Sequence, residues 1–97
     1  MGRSEIISRI EDFKNNRAKE FGILKIGIFG SVARDESDVE SDVDIVVKME
    51  SQDLFKLIGI KQNLEEILQL PVDIISYRET MNSFLKRRID KDVIYVW

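Results

Sequence analysis

Four short apolar runs rich in β-branched residues recur along this chain with helix-period stretches between them, and no other feature restricts its fold as far. Ile23 to Phe29 is the first, ending at Gly30. Val43, Ile45 and Val47 alternate with Asp42, Asp44 and Lys48, the period of two that a half-buried strand requires. Val72 to Tyr77 and Val93 to Trp97 complete the set. Ser4 is placed to cap a first helix over about 4–20, with Ile6, Ile7, Ile10 and Phe13 at helical spacing and Gly22 just past its end. Residues 31–41 are polar, small and acidic, a loop or a single helical turn. Ser51 is placed to cap a helix whose stripe runs Leu54, Leu57, Ile58, Leu64, Ile67 and Leu68 and which must stop before Pro71. Gly59 inside it costs about 1 kcal/mol of helix propensity. Thr80 is placed to cap a last helix with Met81, Phe84, Leu85 and Ile89 on one face. The order is α-β-loop-β-α-β-α-β without an internal repeat. The economical solution is an α+β, two-layer domain: a small mixed β-sheet with helices on one face.

A length of 97 residues fits one domain spanning 1–97 around one core. Its radius of gyration should be roughly 12–13 Å. His 0 and Cys 0 exclude a Ser–His–Asp triad, thiolate or imidazole metal sites and disulfides. Any metal chemistry must then use oxygen ligands and hard ions such as Mg²⁺. No apolar run is long enough to span a bilayer and no signal-peptide core opens the chain, so the expectation is a cytoplasmic protein without a membrane partner. The net charge of −3 hides a local one. Residues 34–50 carry Arg34 and Lys48 against seven acidic side chains, a net −5. A basic nucleic-acid footprint is absent as a property of the whole chain.

Residues 30–44 read GSVARDESDVESDVD. Gly30 and Ser31 follow a strand directly, so a ligand can approach the backbone, exposed N–H groups attract phosphate, and the hydroxyl adds a donor. Asp42 and Asp44 at i and i+2 put two carboxylates on one strand face, which repel unless something positive sits between them. Asp73, between Val72 and Ile74, offers a third from another strand. Three such aspartates beside a phosphate-binding turn match two-metal phosphoryl or nucleotidyl transfer, with ions about 4 Å apart. An EF-hand beginning at Asp38 fails, because Val43 stands where Gly is needed and Met49 where Glu is needed. A P-loop fails as well, since Ile28 and Phe29 occupy the positions of Lys and Ser/Thr.

Gly30-Ser31, ten residues, then Asp42-Val43-Asp44 resembles the GS-x₁₀-D-x-D signature of the DNA polymerase β-like nucleotidyltransferase superfamily. The fuller string is similar to that of its minimal nucleotidyltransferase (MNT) family, with Gly30, Ser31, Ala33, Arg34, Glu36, Ser41, Asp42, Asp44 and Ile45 on the pattern. Asp73 in LPVDII falls where that family's third carboxylate lies. Asp35 stands where the family often has Gly, a residue that eases the turn.

The resemblance implies the polymerase β-like fold and an Mg²⁺-dependent nucleotidyltransferase using two ions, with ATP as donor. Gly30 and Ser31 would hold the β- and γ-phosphates, and Arg34 is a phosphate contact or a salt-bridge partner. Asp42 and Asp44 would bind metal. Asp73 would complete the second metal site and help deprotonate the attacking hydroxyl. Such proteins typically pair with a HEPN-domain toxin, acting as antitoxin by transferring AMP to a toxin tyrosine. The rival reading is a non-catalytic module that neutralises or scaffolds its partner by stoichiometric binding. Lys86, Arg87 and Arg88 read as a solvated helix face that can alternatively touch a triphosphate tail or a partner. Tyr77, Tyr95 and Trp97 read as core or interface, and Tyr77 shares strand parity with Asp73. The acceptor would have to come from another molecule.

Overall fold

The structure, a computed structural model, describes residues 1–36 and 42–96. The expectations for Asp38, Glu40, Ser41 and Trp97 therefore lie outside the described residues. Helix α1 (Arg3–Phe21) ends at Gly22, whose φ of 65° makes the left-handed turn that stops a helix without a Cβ penalty. Gly2 flanks its start with no side-chain cap, so Ser4 sits inside the first turn. Strand β1 (Ile23–Phe29), the one-turn α2 (Gly30–Ala33), β2 (Val43–Met49), α3 (Leu54–Leu68), β3 (Val72–Ser76), α4 (Ser83–Asp92) and β4 (Ile94–Val96) follow. Asp53 caps α3 by accepting from the Lys56 N–H at 3.1 Å. Asn82 caps α4 by accepting from the Phe84 and Leu85 N–H groups. The caps thus lie two residues beyond Ser51 and Thr80, because a second capping residue follows each at that distance and packing of the apolar stripe selects between the two.

The strands pair in the order β3-β2-β1-β4. Strand β1 is antiparallel to both neighbours, whereas β2 and β3 run parallel, joined by the α3 crossover that a parallel pair needs. Alternation divides the strands between two cores. Ile26, Ile28, Val43, Ile45 and Val47 pack with Ile6, Ile10 and Phe13 of α1 and Ile60, Leu64 and Leu68 of α3. Phe29 and Val46 turn the other way, to a smaller cluster with Ile89, so the mixed sheet stands as expected but α4 covers its second face instead of joining α1 and α3 on one. The radius of gyration is 12.4 Å. Among the described residues, no helix is long and apolar enough to cross a membrane.

Helix α3 runs unbroken through Gly59, and packing explains why. A Cβ there would lie 2.8 Å from Cε1 of Phe21, so the ring occupies the space a side chain would need. That ring stacks on Phe13 at 5.9 Å, and the Arg17 guanidinium lies over it while donating to Asn63 of α3 at 2.6 Å. The expected stripes are only partly covered. Leu54 is 68% exposed, Ile58 43% and Phe84 64%, while Ile60, outside the expected stripe, is buried. Periodicity assigns an apolar face to a helix but does not say what covers it.

Candidate active site

Strand β1 ends at Phe29, and the chain turns at Gly30 with φ 71° into the single turn of α2. On β2, Asp44 lies opposite Phe29 on one side and opposite Asp73 of β3 on the other. A Cβ on Gly30 would overlap Oδ2 of Asp44. Glycine is thus required twice at this position, by the left-handed backbone and by the carboxylate packed against it. The turn is closed by backbone bonds from the Arg34 N–H to Gly30, Asp35 to Val32 and Glu36 to Ser31. Asp35, at φ 60°, holds the left-handed conformation that Gly takes more easily, which accounts for the glycine of the family pattern.

Strand parity settles which way the carboxylates point. Asp44 shares parity with Val46, and Asp73 with Ile75, both in the cluster beneath α4. Asp42, immediately ahead of β2, is exposed, as is Asp73, whereas Asp44 is half-buried. Burial pushes the Asp44 carboxyl above its ordinary range, and the charges of Asp73 and Asp42 push it further. Arg88 of α4 and Arg34 oppose the shift. Among the described residues, no group of three or more Asp, Glu, His or Cys side chains closes round one point as it stands. Asp44 and Asp73 share a sheet face without forming a finished cage. The donor set suits a hard divalent cation nonetheless. Each candidate ligand offers carboxylate oxygens, Asp44 has two like charges nearby, and Gly30 leaves its carboxylate room.

Arg34 is committed to two carboxylates, Nε to Glu36 at 3.0 Å and Nη1 to Asp92 at 2.6 Å. It therefore straps the turn to α4. Lys86 is paired with Glu79 at 2.7 Å, away from the aspartates. Tyr77 lies on the same face as Asp73 but four residues along, and its hydroxyl donates to Asp90 at 3.1 Å. Arg88 and Asp92 are the residues that sequence reasoning undervalued. Their i,i+4 spacing puts them on one face of α4, but only the packing of α4 shows that this face turns toward Asp44 and Arg34.

The model of the family described as a nucleotidyltransferase domain matches residues 10–96. The protein adenylyltransferase MntA of Thermococcus cleftensis is 36% identical over 93 residues, covering 95% of this chain and 93% of that protein. A solved structure described as a minimal nucleotidyltransferase superposes with a TM-score of 0.79 at 27% identity, covering 97% of this chain and 95% of the other. A toxin–antitoxin structure with AMP-PNP is similar at a TM-score of 0.74 and 21% identity, covering 90% of this chain and 72% of the other.

Proposed function

This chain belongs to the nucleotidyltransferase domain family as a minimal nucleotidyltransferase, and on that premise we propose that it moves AMP from ATP to a tyrosine hydroxyl of a HEPN-domain toxin, as the antitoxin of the pair. One observation carries the reading: a half-buried Asp44 wedged between the Gly30 turn and Asp73 of the adjacent strand. Two Mg²⁺ ions held by Asp42, Asp44 and Asp73 would supply the positive charge that stabilises the attacking and leaving oxygens. Gly30 and Ser31 receive the β- and γ-phosphates on backbone N–H groups and a hydroxyl. Arg34, fixed between Glu36 and Asp92, holds that turn beside α4 and adds its charge to the phosphate side. Asp73, on the exposed edge of the carboxylate face, helps take the proton of the attacking hydroxyl. The hydroxyl oxygen bonds to the α-phosphorus, the bond to the bridging oxygen breaks, and pyrophosphate leaves.

The name of the Thermococcus relative supports a protein acceptor, and the AMP-PNP-bound neighbour supports both an adenine nucleotide and a toxin partner. The cytoplasm is where such a pair would act. The test is transfer from α-labelled ATP, with Mg²⁺, to a purified HEPN-domain toxin offered as the partner. Wild type should label it, and Asp42→Ala and Asp44→Ala should not. Neutralisation that survives both substitutions with no label moved would instead establish the binding module.

A further inference from the structure

Among the described residues, strand β3 is an edge strand, paired with β2 alone. Its hydrogen bonds show which backbone groups are spare. The Val43 N–H donates to Pro71 O and the Tyr77 N–H to Val47 O, so the odd-numbered residues of β3 turn their groups toward β2. Val72, Ile74 and Ser76 turn theirs outward. Glu65 accepts the outward N–H of Val72 at 3.1 Å, which closes the edge there and leaves it open along Ile74 and Ser76.

This open stretch runs through a groove of about 560 Å³. Leu54, Leu57 and Ile74 line it on the α3 side, and Ile75, Met81 and Leu85 on the α4 side. The two walls belong to opposite faces of the sheet, since Leu57 and Ile74 pack on the larger core and Ile75, Met81 and Leu85 on the smaller. An extended segment sends alternate side chains to opposite faces, so it fits apolar walls on both sides of a strand edge. A helix has no spare backbone groups to offer that edge.

We propose that the open edge of β3 is the acceptor dock, where an extended apolar segment of the protein substrate adds as a fifth strand. The proposal rests on the adenylyl-transfer reading above and specifies how its acceptor is delivered. Asp73 adjoins Ile74, and a residue of the added strand beside it would face the same side of the sheet, roughly 5 Å away. The dock therefore ends at the carboxylate assigned to the attacking hydroxyl.

Hydrogen exchange on the complex with the HEPN-domain toxin that serves as acceptor provides the test. The Ile74 and Ser76 amides should exchange quickly in the free chain and slow at least tenfold in the complex. Ile74→Pro removes an outward donor without touching a bond to β2. Leu54→Glu puts a charge on a wall residue that is already exposed, so folding does not depend on it. Each should raise the acceptor KM about tenfold or more, with the KM for ATP within twofold of wild type. Transfer that proceeds with both amides unprotected and Leu54→Glu at wild-type acceptor KM overturns the dock and leaves the functional reading standing. Concentration-dependent dimerisation of the free chain that Ile74→Pro abolishes would assign the edge to a second copy and overturn the dock as well. If wild type transfers no label and forms no complex, the functional reading itself fails and takes the dock with it.

Discussion

The two faces of the sheet are built from alternate residues of the same strands, and they do different work. Beneath α1 and α3 the strands present Ile26, Ile28, Val43, Ile45 and Val47, sealed by aliphatic and aromatic side chains. Beneath α4 the same strands bury the side chains of Phe29 and Val46, and the sheet beyond that cluster carries Asp44 and Asp73. Stability is concentrated on one face and charge on the other. Adjacent residues 44 and 45 therefore answer to opposite demands, and that contrast can be tested one position at a time.

The largest effect is expected at Asp44. Asp44→Asn should cut adenylyl transfer by about 10³-fold, the equivalent of several kcal/mol of transition-state stabilisation, with the far-UV spectrum unchanged. Ile45→Ala should do the reverse, costing about 2–5 kcal/mol in urea unfolding because its side chain is completely buried. If Ile45→Ala lost activity while keeping its stability, the division between the faces would be wrong. Gly30→Ala stands on the boundary. It should cost about 1–3 kcal/mol, from the left-handed backbone and the overlap with Asp44, and should also slow transfer.

The smallest effect concerns pH. The Asp44 carboxyl is raised above its ordinary value of 3.8, so the folded chain holds that proton more tightly than the unfolded chain. The resulting stabilisation is fully present below that ordinary value and is lost as pH rises through the folded one. Because the side chain is only half-buried and solvent still reaches the carboxylate, screening should keep the contribution below about 1 kcal/mol. Comparing urea midpoints across this range should show wild type losing more stability than Asp44→Asn as pH rises, the difference in slope being the contribution of Asp44. Equal slopes would mean that the charges around Asp44 are screened in solution.

Much of this arrangement was legible in the sequence, for reasons that differ by element. Residues Val43 to Val47 announce a strand through their alternation, and the same alternation places Asp42 and Asp44 on one side. The pairing of Asp44 with Asp73 was inferable only through the family pattern, because one sequence does not state strand order. Helix caps were harder. Asp53 and Asn82 follow Ser51 and Thr80 at short range, and propensity alone does not rank neighbours that can all cap. Asp92 was illegible as a site neighbour and Arg88 was open only as an alternative to a solvated face, since their relation to Asp44 and Arg34 depends on where α4 docks. The exposure of Leu54 and Phe84 was hidden for the same reason.

The contact between Phe21 and Gly59 has a consequence for how such a chain can change over generations. Helix α3 tolerates its glycine because an aromatic ring fills the space, and the ring fits because no Cβ opposes it. Gly59→Ala would gain helix propensity and meet Phe21, while Phe21→Leu would withdraw the aromatic ring and leave space beside the glycine. The double substitution should therefore cost less than the sum of the two single ones, which a double-mutant cycle in urea measures. Positions 21 and 59, 38 residues apart in the chain, thus share one space, and what either can become depends on what stands at the other.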